Sequence, residues 1–175
     1  MITCQYCGAS YQKFQNICSS CGARLLKNGK MGNKKGTTQL TDERIRQICA
    51  AYEDAKEFRP LSALSEKKLK AAKKTFKVFP SEESIYLFCD THPLDKGKRG
   101  FILCQDGIYW HNNWANETNR NYLAWEDFAE RKLRLKGFAV DLGRGDSIGL
   151  AGLGSDIKRD KALRLLFEIQ SALKE

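Results

Sequence analysis

Two cysteine pairs near the start constrain this chain more than any other feature. Cys4-x2-Cys7 and Cys18-x2-Cys21 stand ten residues apart, and a glycine follows each pair, Gly8 and Gly22. A C-x2-C turn aims two thiolates at one centre. Two such turns complete a tetrahedral zinc site with no coordination position left for water. The expected cofactor is therefore one structural Zn(2+) held by Cys4, Cys7, Cys18 and Cys21. A peptide of about 25 residues buries too little apolar surface to fold alone, so the metal supplies the folding energy. Tyr6, Tyr11, Phe14 and Ile17 provide a minimal apolar shell. A redox pair needs a strand–helix setting and a disulfide needs an oxidising compartment, and the sequence indicates neither. Cys49, Cys89 and Cys104 sit among apolar residues and read as small core residues.

Charge is the second constraint. The chain carries 30 Lys+Arg against 21 Asp+Glu, a net +9. Residues 1–21 contribute +1, residues 22–75 contribute +8, and residues 76–175 hold 15 charges of each sign. A uniformly basic nucleic-acid domain is not distributed this way. Arg24–Lys35 has five basic residues, no acid and no periodicity, and reads as a flexible linker. Thr41 then opens a helix, with Asp42 and Glu43 in its first turn and Ile45, Ile48, Cys49, Tyr52 and Ala55 along one face; Pro60 ends it. A second helix is expected from Ser62 or Ser65, with Leu69, Ala72 and Phe76 inward. Its outer face is crowded by Lys67, Lys68, Lys70, Lys73, Lys74 and Lys77. That face is either a solvated surface or a basic surface for nucleic acid, an anionic membrane or an acidic protein. No aromatic residue interleaves those lysines, so base stacking there has little support.

From Ser84 the pattern changes to short strands. Ile85–Asp90 is nearly all apolar, and Phe101–Cys104 and Ile108–Trp110 flank Gln105-Asp106-Gly107, a hairpin signal because Asp-Gly tolerates positive φ. Tyr122–Trp125, Leu133–Leu135, Phe138–Leu142 and Ser147–Leu150 complete about seven strands, an order that builds an antiparallel sandwich or barrel. A helix capped by Ser155 or Asp156 closes the chain, with Ile157, Leu163, Leu166, Phe167, Ile169, Gln170 and Leu173 as its apolar face.

The segment "CQYCGASYQKFQNICSSCG" resembles the short zinc ribbons at the N-termini of many bacterial proteins. The run "LSEKKLKAAKKTF", then "IYLFCDTHPLDKGKRGFILCQDGIYWHN" and "YLAWEDF", resembles bacterial proteins with a pleckstrin-homology-like domain. Leu142-Gly143 and Ile148-Gly149 fit that pattern, which covers roughly residues 64–174, while Cys104-Gln105 departs from it before the hairpin Asp. The resemblance implies an α+β chain. Residues 1–26 would form a zinc ribbon, 27–40 a basic linker, 41–78 two helices, and 79–175 an antiparallel barrel of about seven strands capped by a C-terminal helix. It also implies that the loop joining the first two barrel strands, with Lys96, Lys98 and Arg99, holds an anionic group such as a lipid headgroup.

No catalytic constellation stands out. His92 and His111 lack an evident partner, and Glu126-Asp127 reads as a turn or helix cap. "GRGDSIGLAGLGSD" has neither the dinucleotide nor the Walker pattern, and its Arg144-Gly145-Asp146 reads as a hairpin turn. The expectation is a non-enzymatic binding module in the cytoplasm, since residues 1–7 lack the basic and apolar segments of a secretory signal. Its first expected partner is a protein or a second copy, met through the ribbon, the basic helices or the strands around Trp110, Trp114 and Trp125. Nucleic acid gripped by the ribbon and residues 24–77, and anionic lipid, are the alternatives; a small-molecule substrate is not expected.

Overall fold

The computed structural model describes residues 2–3, 10–12, 39–114 and 116–175. The four N-terminal cysteines and most of the basic linker lie outside the described residues. Strand β1 (Ile2–Thr3) pairs antiparallel with β2 (Ser10–Tyr11), Ile2 opposite Tyr11.

Helix α1 (Gln39–Tyr52) turns Ile45, Ile48 and Cys49 into the core at helical spacing. It stops at Tyr52, well short of Pro60, which corrects the expected helix end. Asp54 supplies the reason. Its carboxylate accepts the backbone N–H groups of Lys56, Glu57 and Phe58 at 3.0, 2.8 and 2.9 Å, an alternative to the helical ladder. The chain then enters β3 (Phe58–Arg59), whose Phe58 pairs with Cys89. Ser65 caps α2 (Glu66–Thr75) by accepting the Lys68 N–H, so the second helix begins at the later of the two expected caps.

Strands β4 (Ile85–Asp90), β5 (Gly100–Cys104), β6 (Gly107–His111) and β7 (Tyr122–Ala124) follow. With β3 they form an antiparallel sheet in the order β3-β4-β5-β6-β7. Both faces of this sheet are covered, which explains why β4 and β5 are apolar at nearly every position. Leu87, Cys89, Phe101, Leu103, Ile108 and Trp110 point to a core shared with α1. The alternate residues Phe88, Ile102, Cys104 and Tyr109 meet Ala72 of α2 and Phe76 just after it on the other side, where Tyr11 also packs. Residues 41–78 therefore share their hydrophobic core with residues 79–175.

The β5–β6 turn uses its glycine differently from expectation. Gly107 does not have a positive φ. It sits where a Cβ would lie 2.2 Å from the Leu123 carbonyl oxygen, so close approach to β7 is what demands glycine.

After a short helix α3 (Trp125–Ala129), with Glu126 and Asp127 in its first turn, come β8 (Arg134–Lys136), β9 (Ala139–Gly143) and β10 (Asp146–Gly149). They form a second antiparallel sheet ordered β10-β9-β8. Helix α4 (Asp156–Ala172), capped by Ser155, closes the core with Ala162, Leu165, Leu166 and Ile169. Two residues assigned to its buried face from periodicity point outward. Ile157 is 82% exposed and Phe167 41%. The fold is thus α+β, built from antiparallel sheets and a C-terminal helix.

Candidate binding surface

The loop of residues 91–100 is organised around the carboxylate that ends β4. Asp90 is buried and accepts the backbone N–H groups of His92 at 2.8 Å and Gly97 at 2.7 Å. Asp95, in the left-handed region at φ +48°, receives Arg59 Nη2 at 2.6 Å and the Lys68 ammonium. Arg59 is itself buried and lies 4.0 Å from Asp90. Two backbone contacts grip the loop from either side. A Cβ on Gly97 would approach the Lys68 carbonyl oxygen of α2 to 2.8 Å, and one on Gly152 would fall 1.6 Å from the Thr91 carbonyl oxygen.

Burial pushes the Asp90 carboxyl above its ordinary range against the pull of the two N–H donors, and its hydrogen bond to Asp95 adds to the rise. Burial works on Asp95 in the same direction, but Lys68, Asp90 and Arg59 together hold it below the ordinary range. A depressed carboxyl stabilises the fold above its unfolded pKa, and that contribution disappears as pH falls through the lowered folded value. Asp95→Asn therefore costs about 1–2 kcal/mol at pH 7, discounted because Asp95 is about a third exposed. Urea unfolding at pH 7 and pH 3 measures it: the wild-type advantage over the variant shrinks at the lower pH.

On this frame Lys96 and Lys98 stand exposed and Arg99 half-buried, with Leu94 67% exposed beside them. The contact between Gly97 and Lys68 packs the loop against α2, the helix that carries the other cationic set expected from sequence. The cations differ in what they are free to do. Lys67, Lys70, Lys74 and Lys77 are exposed, whereas Lys68 is engaged with Asp95 and Lys73 with Glu82. The field of the loop registers at His92, whose pKa is lowered by burial and further by Arg99, Lys96 and Lys98. His111, its ring tilted 40° to that of Phe76 at a centroid distance of 5.7 Å, is lowered by burial and then by Arg99.

The tryptophans divide. Trp110 and Trp125 are buried, Trp125 donating its indole N–H to the Cys104 carbonyl at 3.0 Å, so neither offers a surface. Trp114 is 42% exposed. Asp146 of the Arg-Gly-Asp tripeptide is buried 3.0 Å from Arg131, a structural position and not an adhesive one. Cys49, Cys89 and Cys104 are buried free thiols, and burial pushes Cys49 up to about 12.

Sequence reasoning missed Arg59, Asp90 and Asp95 as the frame of the loop. Arg59 stands 36 residues from Asp95, and no local spacing signals such a pairing. Cys4, Cys7, Cys18 and Cys21 lie outside the described residues; the β1–β2 pair brackets the first two in the chain. Among the described residues no group of three His, Cys, Asp or Glu side chains is placed to hold a metal, and no helix is long and apolar enough to cross a membrane. Comparison with family models, curated proteins and solved structures gives no match to this chain.

Proposed function

We propose that this chain is a non-enzymatic binding module, a zinc ribbon joined to a pleckstrin-homology-like domain, that docks a protein partner through an acidic surface. The observation that supports the reading is the set of exposed cations, Lys67, Lys70 and Lys74 on α2 and Lys96 and Lys98 on a loop packed against that helix at Gly97 and against Gly152 at Thr91. A loop whose backbone is already packed has little left to order on association, which lowers the cost of docking. The strand order supports the domain reading. In its favour are seven antiparallel strands, β4–β10, followed by a terminal helix; β3 adds a fifth strand to the first sheet and α3 stands between the two sheets. Four thiolates in two C-x2-C turns suit one structural Zn(2+), which would hold the ribbon together.

Exposed Leu94 on the cationic loop favours a second reading, contact with an anionic membrane, where an apolar side chain enters the interface beneath bound headgroups. One variant set separates the two. Reversal of Lys67, Lys70, Lys96 and Lys98 to Glu abolishes capture of the native partner from the host while leaving the melting curve unchanged. Undiminished capture would overturn the docking face. Sedimentation with phosphatidylserine vesicles, lost in the same variant and in Leu94→Glu, would transfer the face to membranes. Elemental analysis of the purified chain gives about one zinc per molecule, and Cys18→Ser loses it; a retained complement would sink the ribbon.

A further inference from the structure

We propose that the open edge of β8 takes an extended segment of a partner protein as an added strand, one that alternates acidic and apolar residues. The edge belongs to different elements from α2 and the 91–100 loop, and the inference does not rest on the docking proposed there.

Strand β8 stands at the end of its sheet and pairs with β9 alone. In an antiparallel ladder, successive residues turn their N–H and C=O groups to one side and then the other. A strand with a single neighbour therefore leaves the groups of every second residue open to another chain. Residues 134–138 are all exposed, contain no proline, and pair with β9 without a bulge: Arg134, Leu135 and Lys136 lie opposite Asp141, Val140 and Ala139.

The two faces of this edge differ. Directly opposite residues share a face, and Val140 is fully buried, so Leu135 lies on the core side and is left 36% exposed at its rim. Arg134 and Lys136 stand on the outer side, where Asp141 takes the Arg134 guanidinium at 2.8 Å and Lys136 is exposed.

Helix α4 continues the core side. Arg159, Leu163, Phe167 and Gln170 follow one another at helical spacing along a single stripe. The stripe is tied to the β8–β9 hairpin at both ends. The Arg159 guanidinium lies 4.8 Å over the ring of Phe138, in the turn after β8, and Gln170 donates to the Arg131 carbonyl, before β8, at 2.8 Å. The helix thus runs alongside β8 in the opposite direction, with Leu163 and Phe167 between the two ties. Leu163 is partly buried against the core, whereas Phe167 remains half-exposed and Phe138 is 62% exposed.

A strand laid on this edge turns alternate side chains to the two faces. One set falls on the side of Leu135 and the α4 stripe, where apolar residues suit it. The other falls beside Arg134 and Lys136, where acids do. A second copy fits badly. Two β8 strands paired antiparallel about a two-fold axis would set these cations against the same cations, and like charges directly opposite are destabilising. Edge lysines guard a strand against its own kind; here they also select an acidic one.

The probe is a fluorescein-labelled peptide alternating Glu and Leu, about seven residues long, an ordinary strand length. It is titrated with the 175-residue chain and followed by anisotropy. Wild type binds it about tenfold more tightly than the matched peptide alternating Lys and Leu. Phe167→Ala weakens binding by about fivefold, and Lys136→Glu reverses the preference between the two peptides. Backbone pairing has its own readout. Two isomers of the acidic peptide, N-methylated at alternate residues in one phase or the other, lose the N–H groups of opposite edges, so one binds and the other does not. Lys67→Glu/Lys96→Glu leaves binding unchanged. All these positions are exposed, and a thermal melt verifies each variant. No binding by wild type, equal affinity for the two isomers, or no preference for acid would each overturn the proposal. Loss of binding in Lys67→Glu/Lys96→Glu would overturn it by moving the peptide to the α2 and loop cations. A dimer in sedimentation that Leu135→Glu dissolves would give the edge to a second copy instead.

Discussion

In urea unfolding followed by circular dichroism, Asp146→Asn lowers the unfolding free energy by about 3–5 kcal/mol. The carboxylate is buried, 3.0 Å from Arg131 Nη2 and 3.9 Å from Arg120, and accepts the Thr118 hydroxyl. Arg131 is equally enclosed and donates Nη1 to the Gly143 carbonyl at 2.7 Å. Burial draws its guanidinium pKa below the ordinary value, with Asp146 opposing that shift. Removal of the carboxylate charge leaves the guanidinium buried without compensation, and that is the source of the cost. The double variant Asp146→Asn/Arg131→Met therefore loses less than the sum of the two single variants, because each single change strands the other's charge. A single-variant loss below about 1 kcal/mol would mean that water reaches the pair and that it is worth no more than a surface bridge. The pair ties residues 118–120, the α3–β8 connection and the β9–β10 turn into one unit, so hydrogen exchange should quicken in all three together.

Gly100→Ala is the second large effect, about 3 kcal/mol. Gly100 has φ +138°, and a Cβ there would lie 1.8 Å from the Cys89 carbonyl oxygen. Backbone strain and a backbone clash both contribute, and neither yields to a side-chain rotation. The residue faces Asp90 across the β4–β5 pair, so its displacement also loosens the base of the cationic loop. Gly137 is the internal control. It has φ +58° with nothing within 4 Å of a Cβ, so Gly137→Ala carries the left-handed penalty alone, about 1 kcal/mol. Equal midpoints for the two variants in thermal denaturation would show that the Cys89 contact relaxes at no cost.

The strands from β4 onward were legible in the sequence because each is a short apolar or alternating run closed by a turn. The end of α1 was not. Its stop depends on Asp54 collecting three backbone N–H groups and on Phe58 pairing with Cys89, a contact 31 residues away that periodicity does not encode. On α4, apolar residues lie on more than one stripe, and packing against α1, α3 and β8 decides which stripe is buried; Leu165 is inside while Ile157 is outside. The cationic residues were readable as two separate lysine-rich segments. The packing of the loop on α2 was not, because it rests on the fit of Gly97 against the Lys68 carbonyl. Trp114 was legible only as one of three tryptophans, since burial of Trp110 and Trp125 comes from their register in the sheet and the helix that follows it.

The five-stranded sheet, covered on both faces, has a consequence for how such a molecule acquires new specificities. Its broad surfaces are covered, so the binding function proposed above would have to use the perimeter, the outer side of α2 and the 91–100 loop. Substitutions of exposed residues at that rim leave the interior as it is. The scaffold is in this sense a chassis whose attachments vary at small risk to folding.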